Sequence, residues 1–262
     1  MKISYTNHMA FSWGFKKQLL FFGIFAFVIL LIVGTGVYFF WPDPTCYDRR
    51  QNQSEESVDC GGPNCLPCQS QIKDITTLWT RSLKISDGVY DFAAMVENPN
   101  QFLNAPRFSY LIKFYDANNI LIAIKESASY AEPGEKFVIF EPNISTQHRI
   151  PIRADLEIDK KTINWNKTES KPLQIDILKT SKFLGAGELP PPRLEADIKN
   201  RSKAVYRNID ITAILWGGEL VLGVSRTIIE YMDIDETKTI VFTWPSPIEG
   251  VDRTEIFFRQ KP

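Results

Sequence analysis

The residues best equipped for chemistry are few and unevenly placed. All four cysteines, Cys46, Cys60, Cys65 and Cys68, fall in one short stretch with the spacing C-x13-C-x4-C-x2-C. Such a set forms two disulfides in an oxidising compartment or holds zinc in a reducing one. Four cysteines allow three pairings, and sequence does not choose among them. Between them lie Asp48, Asn52, Glu55 and Asp59, oxygen donors of the kind calcium takes. The competing reading is solvated turn residues in a small disulfide knot, so no metal is assigned. The two histidines, His8 and His148, are separated by a long apolar run and cannot share a site. Nucleophilic catalysis needs a base beside its nucleophile, and His148 lies in a polar turn. No G-x-S-x-G, Walker-type, G-x-G-x-x-G or H-E-x-x-H pattern occurs. The chemistry expected here is therefore disulfide formation, with no catalytic residue and no cofactor.

What positions these cysteines is the apolar run before them. Leu19 to Trp41 contains no charged residue. As a helix of about 1.5 Å per residue it would be roughly 34 Å long, enough for a hydrocarbon layer of about 30 Å. Trp13 precedes it, while Tyr38 and Trp41 close it, as aromatic side chains do at membrane interfaces. Pro42 and Pro44 end the helix. Lys2, Lys16 and Lys17 come before the run with no acidic residue, and Asp43, Asp48, Arg49, Arg50, Glu55 and Glu56 follow it. Positive residues stay on the cytoplasmic side. The expectation is a cytoplasmic N-terminus, a single crossing of the cell membrane, and an extracytoplasmic remainder that favours disulfides over zinc. A cleaved signal peptide is the rival reading. Its core is ordinarily shorter and ends at an A-x-A-like site, which Tyr-Phe-Phe-Trp at 38–41 does not supply. A pilin-like leader would carry glutamate where Leu19 stands.

Beyond the cysteines the pattern becomes short alternating runs broken by Gly, Pro, Asn and Asp. In Arg107–Asp116, Phe108, Tyr110, Ile112 and Phe114 share one face, and Ile120–Ile124 returns after Asp116-Ala-Asn-Asn119. That is strand, turn and strand. The plan repeats about 100 residues later, with about 75 to 90 residues in each copy, the size of a small sandwich. Asn98 in MVENPN answers Asn200 in DIKNRS, and the run from Phe114 answers the run from Leu215. Ala131–Lys136 answers Met232–Thr237. Asn98 and Asn200 are read as turn residues whose side chains bond the local backbone. Trp79, Trp165, Trp216 and Trp244 are read as core or inter-domain packing.

The expected fold is mainly β: a transmembrane helix followed by two tandem immunoglobulin-like sandwiches. The divisions are a cytoplasmic segment 1–18, the helix 19–41, a disulfide stalk 42–72, a first sandwich 78–163, a linker 164–172 and a second sandwich 173–260. Gly185–Pro192 is expected to be an irregular loop, since its proline run resists strand pairing.

Two family resemblances accompany this reading. Cys46 to Cys68 resembles a surface-protein module, C-x-D-G-x-x-N-x-x-E-x-x-x-D-C-G-G-x-C-x-x-C. It matches at Asp48, Asn52, Glu55, Asp59 and Cys60-Gly-Gly, with Arg49 at the usual glycine and one extra residue before Cys65. Val96–Asn100 with Phe114-Tyr115-Asp116 is similar to the FxLYD-type domain, an immunoglobulin-like sandwich of bacterial envelope proteins. That match is good over 80–160 and weaker over 173–260, where Trp216-Gly-Gly and Arg201-Ser202 replace the motif residues. The resemblance implies a fold and an envelope location.

A net charge of −1 without a basic tract argues against nucleic-acid binding. The expected contacts are the lipid bilayer, through residues 19–41, and an envelope or membrane protein. The expected function is binding or scaffolding. A purely structural spacer, an accessory subunit of a membrane complex, and an enzyme built on carboxylates that no motif reveals are the alternatives.

Overall fold

The computed structural model describes residues 13–40, 43–168, 172–185 and 192–260. His8, Lys2, Trp41, Pro42, residues 169–171 of the expected linker and residues 186–191 of the expected loop lie outside them. The chain divides into two compact units, Met1–Cys65 and Leu66–Pro262.

In the first unit, helix α1 spans Trp13–Phe40. Its described apolar side chains are exposed, and the helix is long and apolar enough to cross a membrane. That is compatible with an anchor or with a signal sequence. An apolar surface of this size is costly in water and favourable in hydrocarbon. The hydroxyl of Thr35 donates to the carbonyls of Leu31 and Ile32 at 2.8 and 3.0 Å. It is thus satisfied within the helix itself, as an apolar solvent requires.

The second unit is built from strands, with two short 3-10 turns at Gln69–Gln71 and Lys160–Thr162. Strands β1 (Thr76–Ser86), β2 (Val89–Glu97) and β5 (Lys136–Ser145) form one antiparallel sheet in the order β1-β2-β5. Strands β3 (Leu103–Tyr115), β4 (Leu121–Ala131) and β6 (Arg153–Asp159) form its partner in the order β4-β3-β6. The short β7 (Asn166–Lys167) pairs with the start of β3. The same plan then recurs. Strands β8 (Ile175–Phe183), β9 (Arg193–Asn200) and β12 (Thr237–Thr243) make the sheet β8-β9-β12. Strands β10 (Tyr206–Gly217), β11 (Leu220–Met232) and β13 (Arg253–Gln260) make β11-β10-β13. Corresponding strands occupy corresponding places in both copies.

Alternation explains the strands. In β3, Phe108, Tyr110, Ile112 and Phe114 are buried; in β9, Leu194, Ala196, Ile198 and Asn200 are. Period-two burial puts one face of each sheet against its partner. The first core gathers Phe92, Phe108, Phe114 and Phe137, with Trp165 packed against it. The second gathers Ile209, Ile211, Phe242 and Trp244. The turn at Asp116 closes as an Asx turn: its carboxylate accepts from the amides of Asn118 and Ile120.

Two strands break the alternation. Tyr90–Val96 of β2 and Ile211–Trp216 of β10 are buried at every position. A strand buried on both faces has covered both of them. The cover is the other sandwich. A third apolar cluster joins Ala93, Met95, Val138 and Phe140 to Ile214, Trp216, Val221 and Val224. Trp79 and Trp216 meet edge to face, with centroids 5.8 Å apart. The outer face of β1-β2-β5 therefore packs on the outer face of β11-β10-β13.

Candidate functional site

In the cysteine module, Cys46 is bonded to Cys65, and Cys60 and Cys68 are also disulfide-bonded. No described cysteine is free. The three carboxylates serve the backbone, while the side chain of Asn52 donates to Asp48 and keeps its Oδ1 buried without a hydrogen-bond partner among the described residues. Asp59 accepts from the Arg49 amide at 2.9 and 3.1 Å. Asp48 accepts from the Arg50 amide at 2.8 Å and from the Asn52 side-chain amide at 2.7 Å. The Asn52 amide beside it, helped by the Arg50 and Thr45 N–H groups, holds Asp48 below the usual carboxylate range. Glu55 is buried, and its Oε2 accepts from the amides of Asn52 and Asp59, both at 3.2 Å. Its Oε1 lies 3.1 Å from Cys65 Sγ. A disulfide sulfur carries no proton, so this is a packing contact rather than a hydrogen bond. Arranged in this way, the carboxylates cap turns in a segment too small to hold itself by an apolar core. Cys46, Glu55 and Cys65 bring potential metal-binding atoms within 4.8 Å of one another, but both sulfurs are committed to the disulfide.

The two turn asparagines are fully buried and make matching bonds. Asn98 Nδ2 donates to the carbonyls of Leu103 and Glu132 at 2.7 and 2.9 Å, while its Oδ1 accepts from the Asn100 amide. Asn200 Nδ2 donates to the carbonyls of Ala204 and Asp233, both at 2.9 Å, and its Oδ1 accepts from the Ser202 amide. The backbone repeats as well: the Asn98 and Asn200 amides donate to the carbonyls of Glu135 and Glu236. Gly134 and Asp235 occupy the same left-handed turn position, with φ of 64° and 58°. Each asparagine ties three segments of its sandwich together.

No family model matches the chain, and a search of curated proteins finds no match. Among solved structures, 46 chains match. One is the crystal structure of red sea bream transglutaminase, at 13% identity and a TM-score of 0.22. That match covers 72% of this chain and 29% of the other, so the chain spans under a third of that protein's length. Nothing is carried over from it.

The most heavily built contact between the sandwiches is centred on Arg259, which the sequence reading did not single out. Its guanidinium meets Glu135 at 2.8 and 3.2 Å and donates to the Tyr130 carbonyl at 2.6 Å. It also stacks on the rings of Tyr130 and Phe137, about 4 Å from each centroid. Arginine suits this place because one planar fork can pair, donate and stack at once. Burial pushes the Tyr130 phenol up to about 12, with Arg259 opposing, and drives Tyr110 higher still for the same leading reason. The signal available in sequence was the unbroken apolar run in β2 and again in β10. Such a run marks a strand with two covered faces.

Proposed function

We propose that this chain is a membrane-anchored, extracytoplasmic binding or scaffolding protein of the cell envelope, with no catalytic role. The observation that carries the proposal is the buried apolar contact between the sandwiches. Two domains joined only by a linker swing independently, whereas a large apolar contact fixes their geometry. A fixed pair has a use where surfaces must be presented at set positions. Lys16 and Lys17, near the start of the helix and ahead of its uncharged run, and the acidic residues after it support an N-terminus in the cytoplasm. Four disulfide-bonded cysteines support an oxidising compartment beyond it. Arg49, at the place where the resembled module carries glycine, adopts a φ of 59°. That is the conformation for which glycine is ordinarily chosen.

A structural spacer is the second reading. It is favoured by the charge on the uncovered outer faces, where Lys113 pairs with Glu157 and Thr239 with Asp197. An accessory subunit of a membrane complex would use the same geometry. Crosslinking in intact cells with partner identification tests the proposal. Specific envelope or membrane partners are expected, and a chain that crosslinks to nothing would leave the spacer. Labelling with a lysine reagent that does not cross membranes tests the orientation. It should modify Lys73 and Lys84 in intact cells but reach Lys16 and Lys17 only after lysis.

A further inference from the structure

The contact between the sandwiches is not filled throughout. Beside the Arg259 cluster it opens into a cavity of about 290 Å³. One wall is the open side of the first sandwich, where Tyr110 emerges from the core between β4 and β5 and donates to Glu141 at 2.8 Å. The other wall is the outer face of β10, β11 and β13, bearing Asp210, Arg226 and Arg259.

Two polar atoms in these walls are buried without a hydrogen-bond partner among the described residues: Tyr130 Oη and Asp210 Oδ1. Tyr130 is only 7% exposed. Leaving such groups unpaired is costly, and more so for a charge. Native structures seldom keep them without a reason. The rest of the wall is half used. Glu141 takes the Tyr110 hydroxyl on one oxygen, and Arg226 forms no ion pair among the described residues. The cavity thus offers carboxylate acceptors, a guanidinium donor and hydroxyls that do both.

The signs of charge are interleaved. Asp210 stands across from Arg259 in the β10–β13 register, and Thr212 across from Arg226 in the β10–β11 register. A zwitterion would call for an acidic end and a basic end, and an anion would call for a basic pocket. An interleaved wall suits a neutral molecule that carries donors and acceptors around its whole rim.

We infer that this inter-sandwich cavity binds a small neutral polyhydroxylated ligand of monosaccharide size, held chiefly by Asp210, Glu141 and Arg226. Small-molecule pockets concentrate at domain interfaces, and this one, at about 290 Å³, falls just below their usual range of about 300–1,000 Å³. The inference goes beyond the scaffold proposal and does not depend on membrane orientation.

The test uses the full chain in lipid nanodiscs, which avoids glycoside detergents. Glucose, galactose and N-acetylglucosamine are the probes, with glycine and inorganic phosphate beside them, and binding is read by saturation-transfer NMR. At least one sugar is expected to bind at millimolar concentration. Asp210→Asn and Glu141→Gln are close to isosteric and should each weaken it about tenfold or more, without a matching loss of melting temperature. Should both variants fail to fold, Thr212→Val on the same wall takes their place. The inference is overturned if no sugar binds, which would leave the cavity to water. Binding by glycine or phosphate instead, or wild-type affinity in the wall variants, would overturn it too.

Discussion

At the level of single residues, Asn98 and Asn200 carry the most structure per atom. Each satisfies two carbonyls and one amide inside its sandwich. Truncating Asn98 to alanine removes the side-chain partner of the Leu103 carbonyl and the Asn100 amide, and leaves the Glu132 carbonyl only the Glu135 amide at 3.3 Å. The expected loss is roughly 2–4 kcal/mol of stability, read by denaturant titration of the full chain. Asn98→Asp keeps the acceptor but removes the donating amide and sets a carboxylate against two carbonyl oxygens. It should therefore be no better than Asn98→Ala, and a near-wild-type midpoint for the aspartate variant would contradict the account. The buried phenols give a second residue-scale prediction. Both Tyr110 and Tyr130 are raised by burial, Tyr130 to about 12. The folded state thus holds protons that the unfolded chain releases near pH 10. Their contribution to stability is complete below that value and is lost as the pH climbs through the folded-state range. In an alkaline absorbance titration Tyr110 and Tyr130 should ionise late or together with unfolding, and Tyr110→Phe and Tyr130→Phe should each remove part of that late step. Early ionisation of all nine tyrosines would exclude the burial described.

The elements were legible in the sequence wherever one face of a strand meets solvent. The Phe108–Phe114 alternation, the Asp116 turn and the recurrence of the asparagine turns all read correctly, because each follows from a local rule of strand or turn geometry. Cysteine pairing was not legible, since spacing alone leaves three connectivities open. Of the contact between sandwiches only a part was legible: Trp79 and Trp216, expected to pack in a core or between domains, meet there. In β2 and β10 the apolar runs identify strands but do not say what lies on the second face. Arg259 looks like any charge near a C-terminus until Glu135 is placed beside it. The stretch expected as linker was read from its polar composition, yet β7 pairs with β3 and Trp165 packs on the first core. The consequence for β10 can be tested. Ile214 is fully buried in the contact, while the matching residue of the first sandwich is Lys113. Ile214→Lys puts an unpaired charge into that contact, at a cost on the order of 3–5 kcal/mol. It does so without touching either sandwich core. Calorimetry should then resolve two separated unfolding transitions where the wild type has one. A single transition shifted as a whole would show that the sandwiches do not depend on this face for their coupling.

For the molecule as a whole, the repeat raises the problem of where packing stops. The contact is heterologous: the outer face of sheet β1-β2-β5 in the first sandwich meets the outer face of sheet β11-β10-β13 in the second. If both copies kept both apolar faces, each chain would expose one of each kind, and such contacts add subunits without closing. The sequence departs from repetition at these faces. With Asn98 matched to Asn200, Ala93 and Met95 of the contact face become Glu195 and Asp197 on the uncovered one. With Phe114 matched to Leu215, Ile214 and Trp216 of the contact face become Lys113 and Tyr115. Charges on an uncovered sheet oppose further association. Restoring the contact residues should therefore remove the stop. A chain carrying Glu195→Ala, Asp197→Met, Lys113→Ile and Tyr115→Trp presents both complementary faces and is expected to form chains whose length grows with concentration. Either pair of substitutions alone offers only one half of the contact. Wild type in nanodiscs should sediment as a single species, each double variant should remain close to it, and the quadruple variant should broaden to larger species on concentration. A quadruple variant that stays monodisperse across that range would mean that shape, rather than the exchange of apolar residues for charges, is what ends the stack at two.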